Sequence, residues 1–590
     1  MIHKDELSDV SVRIGGDAGL GVESGGAGLA LAGARAGLHV FGVADARSRI
    51  RGGHNFYDVR FAEREVFAHK READLLVALT EDSIVSHTTD LAPGAGVIYP
   101  EGLRVDLEAM RGRGLVPMPL PLKQIAEENG GRVMINTGAV AAAAAVIGLP
   151  FDFIAGVTRR NFAKKGAGVV GSNLRVAEAG YALAEKSYAS AFAPKVRVPS
   201  DPRPRMLLNG NQAFALGAVV GGCRFMSAYP MTPATTVFES LTALPADYGV
   251  VTKQTEDEIA AVCMAIGASF VGARAMTATS GGGFSLMVEA ISLAGMAELP
   301  LVVVNAQRGG PSTGLPTRTD QSDLLFVIHA GQGEFPRIVL APANVEEAFE
   351  AGWRSFNLAD RYQCPVIVMT DTLLASSLKT VDPAALDFSA VEVDRAATLS
   401  PSETEMLDGY RRFELTESGI SPRALPGSAH AVYSVPSDEH DEQGHITEDE
   451  PNRVAMMQKR MRKLDVAMEN ARGPELIGPA GADVTLACWG STVGACLEAA
   501  RLLNAAGTAA SVLKFGDLWP LPSERVMGHL VAARKVIAVE QNYTGQLAKL
   551  LRMTTGFDCH DSICHYDGRP LTGEEITELV LEKVGTYAAA

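Results

Sequence analysis

The sequence predicts an α/β protein, built as three α/β domains with largely parallel sheets. Three observations carry this. Apolar runs such as LPLVVVNAQ at 299–307 and CPVIVMTD at 364–371 alternate with Gly- and Ala-rich helical stretches, the pattern of strands buried on both faces by crossover helices. The chain has 590 residues, more than one core holds, because single cores stop growing at roughly 250 to 300 residues. A 47% hydrophobic content with 21% charged residues fits compact domains and excludes a mainly disordered or fibrous chain.

The first domain, 1–196, contains the strand-like SVRIGG at 11–16, a helix over about 23–37, and the further strand runs HVFGVAD, DLLVALT and GVIYP. Its longest uncharged run, 133–151, is mostly alanine in the middle and includes Asn136, Thr137 and Pro150. That is too weakly apolar for a membrane span and reads as a buried helix. The stretch 197–205, RVPSDPRPR, has three prolines and reads as a linker. A second domain, 206–384, opens on the helix NQAFALGAVVGG, the strand RFMSAYP and the helix ATTVFESLTALP. Over 385–475 the apolar periodicity fades, and seven acidic residues in 438–450 precede a basic helical run at 453–463; this reads as a long connection lying over other domains. The third domain, 476–590, follows with ADVTLACWGS, the helix VGACLEAARLLNAAG, and the strands ASVLKF and KVIAVEQN.

Charge narrows the function. Lys+Arg number 53 against Asp+Glu 69, a formal net charge of -16, which offers no basic footprint for nucleic acid or anionic lipid. MIHKDELSDV lacks the layout of a signal peptide, and KDEL at 4–7 is at the wrong end to be an address, so a cytoplasmic location is expected. The seven cysteines include no CxxC pair, which suggests reduced core thiols in place of a disulfide framework or tetrathiolate site.

Two loops of the first domain suit a phosphate-bearing ligand. GGDAGLGVESGG, with Gly19, Gly21 and Gly25, follows a strand and opens a helix, where glycines let a backbone turn approach a phosphate and free amides favour an anion. Its spacing departs from GxGxxG by one residue, although Asp45 lies roughly where a ribose-binding acid is sought. RSRIRGGHNFYDVR sets Arg47, Arg49 and Arg51 beside Gly52 and Gly53, and guanidiniums grip phosphates by paired hydrogen bonds. The plainer readings are a tight turn and a solvated basic strand edge.

The middle domain says more. In SAYPMTPATT, Pro230 and Pro233 stiffen a strand-to-helix turn that displays Thr232 at the carboxyl end of a strand, where open α/β sheets bind ligands. Glu258 starts a helix that continues IAAVCMAIGASF. A carboxyl at the edge of so dry a core is suited to sharing a proton with a cofactor nitrogen, whereas alone it only favours the helix dipole. Arg308 leaves the buried strand LVVVNAQ and places a permanent charge at the same edge, suited to a substrate carboxylate. Gly281 to Gly283 fit either a phosphate cradle or a close backbone approach to a cofactor ring.

Taken in order, YPMTP, the Glu258 helix ending in MAIGAS, TATSGGGF and QRGGPSTGLPTRT resemble the α subunit of 2-oxoacid:ferredoxin oxidoreductases, most closely the 2-oxoglutarate branch. GGDAGLGVESGG and SRIRGGHNF resemble the γ domain of the same enzymes, fused ahead of the α part. The resemblance implies a γ domain that closes on coenzyme A, a thiamine diphosphate pyrimidine-binding domain and a transketolase C-terminal-like domain. It implies that Glu258 contacts the aminopyrimidine of thiamine diphosphate and promotes the tautomer that deprotonates the thiazolium carbon. By the same resemblance Tyr229 and Pro230 border the cofactor, Thr232 hydrogen-bonds the substrate near the reacting carbon, and Arg308 engages the 2-oxo acid carboxylate. Coenzyme A falls to Gly19, Gly21, Arg49, Arg51, Gly52 and Gly53.

The chain contains no Gly-Asp-Gly and no cysteine spacing suited to an iron-sulfur cluster. In the family the magnesium-bound diphosphate site and a [4Fe-4S] cluster belong to a separate β subunit, which implies an (αβ)2 assembly that passes electrons to ferredoxin. The expected reaction is 2-oxoglutarate plus CoA to succinyl-CoA, carbon dioxide and reduced ferredoxin, or the reverse. Arg318, Ser312 and Thr313 are candidates for the second carboxylate; without such a cation, pyruvate or a broader 2-oxo acid range is the alternative. Rivals of other classes are a nucleotide-sensing scaffold and an NAD-dependent dehydrogenase, the latter resting on Gly19 to Gly25 and Asp45. SDEHDEQGH, with Glu439, His440, Asp441 and His445, fits no common metal spacing and reads as an interface loop shared with the 2-oxoglutarate branch. Cys488 and Trp489 read as core.

Overall fold

A computed structural model describes residues 8–46 and 53–588. Packing divides the chain into two compact units. The first takes the chain to Leu208 together with Ser376–Ala385 and the stretch from Thr572; the second takes Asn209–Ala375 and Leu386–Leu571.

The first unit is built on an eight-stranded sheet in the order Val116–Leu120, Leu91–Pro100, Ala73–Ala78, Asp9–Asp17, His54–Ala62, His39–Ala46, Leu378–Val381, Met206–Leu208. The first four strands are parallel and the remaining pairings antiparallel. This sheet is therefore more mixed than the expected largely parallel one, for a covalent reason. Residues 47–53 are too few for a crossover, which needs a dozen or more, so His39–Ala46 and His54–Ala62 pair as a hairpin with Ala46 opposite Asn55. The alanine-rich run forms the helix Ile135–Ile147, buried from Gly138 onward. It meets the helix Ala167–Tyr188 so closely that a Cβ on Gly180 would stand 2.6 Å from the Gly138 carbonyl oxygen. Among the described residues no helix is long and apolar enough to cross a membrane.

The expected edges at 206, 384 and 476 differ from the packing. Met206–Leu208 and Leu378–Val381 complete the first sheet, with Lys379 paired to Leu208, and the C-terminal helix Gly573–Ala588 belongs to the same unit, held through Glu578 to Arg71 at 2.8 and 2.9 Å. Strands of three or four residues carry too little periodicity to be assigned from sequence.

The second unit holds two sheets. One runs Asp517–Trp519, Ile338–Leu340, Pro365–Asp371, Leu301–Gln307, Arg274–Thr279, Cys223–Ala228, Val251–Gln254 and is parallel except at the Asp517 edge. The other runs Glu475–Ile477, Ala510–Phe515, Val484–Trp489, Val536–Glu540, Asp561–Cys564, with an antiparallel Glu475 edge. The second and third sequence domains merge because Trp519 pairs with Val339 and because one continuous core joins Val303 and Ile367 to Trp489, Leu513 and Leu547. Cys488 and Trp489 lie in that core, fully buried.

The connection is fastened by buried charge. Lys459 donates to Glu298 Oε1 at 2.6 Å, Lys463 donates to Glu298 Oε2, and Arg412 donates to the Glu298 carbonyl at 2.6 Å and to Gln363 Oε1 at 2.9 Å. A carboxylate this deep is tolerated only when paired. The acidic segment is spent the same way. Glu439 receives Arg460 at 2.9 and 2.6 Å and also pairs with Arg453, both on the helix Glu450–Asn470, while Asp441 accepts from the Gln443 and His445 amides at 2.9 Å. His440 is fully buried. Within the segment expected as an interface loop, Glu439 and the His440 carbonyl thus pair with the chain's own helix, the latter accepting from Asn452 Nδ2 at 2.9 Å. Among the described residues no three His, Cys, Asp or Glu side chains converge to hold a metal ion.

Candidate active site

The strands Cys223–Ala228, Arg274–Thr279, Leu301–Gln307 and Pro365–Asp371 are parallel, so their carboxyl ends share one edge of the sheet. The YPMTP turn leaves the first of them with Tyr229 40% exposed, Pro230 exposed and a cis bond between Thr232 and Pro233. Buried Asn211 holds the turn by donating to the Pro233 carbonyl at 2.9 Å and to Thr236 Oγ1 at 2.6 Å. Arg308, leaving the third, donates from Nη1 to the Thr232 carbonyl at 2.8 Å. Burial draws the Arg308 guanidinium below its ordinary range, as expected of a cation short of water.

Glu258 is the first residue of the helix Glu258–Phe270, whose Asp257 cap accepts from the Ala260 amide at 2.7 Å. The side chain is only 4% exposed. It lies against the start of the helix Gly281–Met296: a Cβ on Gly283 would fall 2.1 Å from Thr279 Oγ1 and 2.7 Å from Glu258 Cγ and Oε1. Thr279 Oγ1 in turn lies 3.7 Å from Met231 Sδ, in the YPMTP turn. Glu258, Thr279, the turn and Arg308 thus form one continuous set of contacts.

A loop arches from Arg308. The Gly309 amide donates to the Arg318 carbonyl at 3.2 Å and the Leu315 amide to the Gly309 carbonyl at 2.7 Å, closing its base. Its tip, with Ser312 and Thr313, is exposed, and the Ser312 carbonyl oxygen lies 3.9 Å from the Cβ position of Gly282. Arg318 stands at the far foot, partly buried.

One residue here was missed from sequence. Asp323 Oδ2 lies 2.5 Å from where a Cβ on Gly281 would stand and accepts from Asn305 Nδ2 at 3.1 Å. Burial pushes its carboxyl up to about 6, against that hydrogen bond and with help from Asp320. Buried Ser280 Oγ and Asn305 Oδ1 lack hydrogen-bond partners among the described residues. A shifted carboxyl beside a candidate site is a recognisable signal, but nothing in the string QSDL betrays its burial.

In the first unit, Gly19 and Gly21 have φ of 98° and 76°, and Gly21 caps the helix Val22–Arg35 without a side chain. Asn136 clamps this turn from Nδ2 to the Gly21 carbonyl at 2.7 Å. The Ala18 amide donates to the Gly53 carbonyl at 3.2 Å, so the glycine loop and the end of the RIRGG segment are neighbours. Arg47, Arg49, Arg51 and Gly52 lie outside the described residues. His54 Nε2 and His87 Nε2 are 2.7 Å apart, with Arg13 next to His87 Nδ1 at 3.3 Å and bidentate to Asp58 at 2.7 and 2.8 Å; this network too was not legible from sequence. Asp45 does not sit as a dinucleotide-binding acid, since His54–Ala62 is inserted between its strand and the one that carries the glycine loop.

The glycine cradle beside Glu258 fits a flat, nitrogen-bearing cofactor held against backbone, with a carboxyl at its edge. Family comparison agrees. Residues 216–459 match the thiamine diphosphate-binding domain of pyruvate flavodoxin/ferredoxin oxidoreductases, 11–183 match the pyruvate ferredoxin/flavodoxin oxidoreductase domain, and 475–566 match the transketolase C-terminal domain. The chain is 35% identical to 2-oxoacid:ferredoxin oxidoreductase 2, subunit alpha, of Aeropyrum pernix, with 97% of each chain covered. It is 32% identical to the 2-oxoglutarate synthase subunit KorA of Methanothermobacter thermautotrophicus over 64% of this chain and 98% of that one. Among solved structures, the 2-oxoglutarate:ferredoxin oxidoreductase of Magnetococcus marinus, with 2-oxoglutarate, coenzyme A and succinyl-CoA bound, superposes with a TM-score of 0.91 at 34% identity, covering 98% of this chain and 100% of that one. The protein is thus an oxidoreductase subunit with a thiamine diphosphate-binding domain. It belongs to the α-subunit family of the 2-oxoacid:ferredoxin oxidoreductases, close to its 2-oxoglutarate members.

Proposed function

We propose that this chain is the γ-fused α subunit of a cytoplasmic 2-oxoglutarate:ferredoxin oxidoreductase, converting 2-oxoglutarate and CoA to succinyl-CoA and carbon dioxide with reduction of ferredoxin, or running in reverse. The observation that carries the reading is Glu258, buried at a helix start against Gly283, in one run of contacts with Thr279, the Thr232 turn and Arg308. Thiamine diphosphate, when bound, supplies the carbon nucleophile and the electron sink for decarboxylation. Glu258 holds the proton shared with the aminopyrimidine, and Tyr229, Pro230 and Gly281 to Gly283 border the ring. Arg308 pairs with the carboxylate next to the keto group, and the Thr232 hydroxyl hydrogen-bonds near the reacting carbon. Gly19, Gly21 and Gly53, with Arg49, Arg51 and Gly52, hold coenzyme A.

The site asks for a partner. Ile259 and Leu286, on the two helices that flank Glu258, are 50% and 52% exposed, with Met264 also exposed. Exposed apolar faces beside a buried carboxylate suit an obligate subunit contact. That partner is a β subunit carrying the Mg2+-bound diphosphate site and a [4Fe-4S] cluster, in an (αβ)2 assembly. A broad 2-oxo acid range is the second reading, favoured by the similarity to the Aeropyrum pernix α subunit. The test is anaerobic viologen or ferredoxin reduction by the chain alone and co-purified with its partner, with 2-oxoglutarate, pyruvate and branched 2-oxo acids, with and without CoA. CoA-dependent activity confined to the complex and strongest with 2-oxoglutarate supports the proposal. Comparable rates on all three favour the broad range, and absence of 2-oxo acid turnover rejects both.

A further inference from the structure

We infer that Gly568 and Arg318 together set the discrimination between dicarboxylic and monocarboxylic 2-oxo acids, an inference that rests on the 2-oxo acid reading above. Arg308 and Arg318 stand at the two feet of one loop, whose base is closed by the Gly309 amide on the Arg318 carbonyl at 3.2 Å. Arg308 is oriented by the Thr232 carbonyl and serves the carboxylate beside the reacting carbon. A substrate with a second carboxylate needs a second fixed cation, and charge-assisted pairs with a guanidinium are the strong ones. Arg318 supplies it.

What fixes Arg318 is distributed over the unit. Its amide donates to the Leu315 carbonyl at 3.0 Å, and its carbonyl also accepts from Thr372 Oγ1 at 3.1 Å. Its stem takes the place that a side chain at 568 would fill: a Cβ on Gly568 would stand 2.9 Å from Arg318 Cβ, 3.2 Å from its Cγ and 3.0 Å from Leu315 Cδ1. Gly568 has a φ of 83°, a backbone conformation that disfavours any side chain. The turn that carries it is itself anchored, with the His565 amide on the Glu540 carbonyl at 2.9 Å and Gln541 Nε2 on the Arg569 carbonyl at 3.4 Å. Gly568 is therefore a positioning residue. By leaving the first carbons of the Arg318 side chain their place against the turn, it lets that side chain take one position, which a methyl at 568 would displace. The third section of the chain, which holds none of the catalytic groups, thereby takes part in substrate choice.

The test compares wild type, Arg318→Gln and Gly568→Ala, each co-purified with the partner subunit, in anaerobic viologen reduction over ranges of 2-oxoglutarate and pyruvate. Arg318→Gln is expected to raise KM for 2-oxoglutarate about 10- to 100-fold, the loss of one charged pair, and to move KM for pyruvate by less than about 2-fold. Gly568→Ala is expected to shift the same ratio in the same direction by about 3- to 10-fold, a fraction of that pair. A parallel reading is the rise in melting temperature of each complex on adding 2-oxoglutarate, expected to shrink in both variants. Equal losses on both substrates, or an unchanged ratio in Arg318→Gln, overturn the inference while leaving the 2-oxo acid reading standing. A shift in Arg318→Gln with none in an assembled Gly568→Ala overturns the role of Gly568. A wild-type complex that turns over no 2-oxo acid overturns the reading itself, a result visible before any variant is made.

Discussion

Arg308 donates from Nη1 to the Thr232 carbonyl at 2.8 Å, joining the ends of two strands separated by Arg274–Thr279. On the proposed reading this bond holds the guanidinium in place before a 2-oxo acid arrives, which is how a protein reduces the ordering cost of binding. Arg308→Lys keeps the charge but loses the planar fork. It is expected to raise KM for the 2-oxo acid about 10-fold or more, with KM for CoA unchanged. Initial-rate kinetics with each substrate varied in turn check this, and equal losses for both substrates place Arg308 elsewhere.

Gly283 lies against Glu258 and Thr279. Alanine there drives a methyl into Thr279 Oγ1 at 2.1 Å and Glu258 at 2.7 Å, overpacking that costs about 1–3 kcal/mol. Gly283→Ala is expected to lower the melting temperature by several degrees, on the order of 2–4 °C per kcal/mol for large domains, and to cut turnover far more than that loss explains. Circular dichroism melts beside viologen assays separate the two effects.

Asp323 gives a pH signature. Its folded value, pushed up to about 6 by burial, stands above the ordinary 3.8, so between those values the unfolded chain gives up its proton first and stability falls as pH rises. The penalty is absent below about pH 4, complete above about pH 6 and on the order of 2–3 kcal/mol. Asp323→Asn removes it. The variant is expected to melt above wild type at pH 7, with the gap closing towards pH 4, and a gap that widens at low pH contradicts the assignment.

Glu298 has the opposite sign. Its carboxyl, buried but held by Lys459 and Lys463, lies well below the usual range, so its contribution is present above the unfolded value of 4.5 and is lost as pH falls through the folded one. Glu298→Ala leaves two buried ammonium groups unpaired and is expected to destabilise the chain by about 3–5 kcal/mol. Chemical denaturation at pH 7 measures it, and a change below about 1 kcal/mol contradicts a fastening role.

Legibility from sequence followed physical range. Long apolar strands such as Leu301–Gln307 and the alanine helix Ile135–Ile147 announce themselves by local pattern, and the motifs YPMTP, Glu258, TSGGG and QRGG could be placed as one candidate site because each ends or begins an element. The short edge strands Met206–Leu208 and Leu378–Val381 did not, since their pairing is set by partners far along the chain. Asp323, the His54 and His87 pair and the Gly568 contact were hidden for the same reason, as each depends on approaches between distant segments. The pairing of Glu439 was hidden too, because sequence shows its charge but not that Arg460, 21 residues on, comes back to neutralise it.

The most direct measurement is turnover of 2-oxoglutarate by the Glu258→Gln chain co-purified with its partner subunit. Glutamine keeps the size and loses the shared proton, so the account predicts a complex that elutes as wild type while its rate falls at least about 100-fold. Turnover near the wild-type rate would contradict the assignment of Glu258, and with it the site built around Thr232 and Arg308.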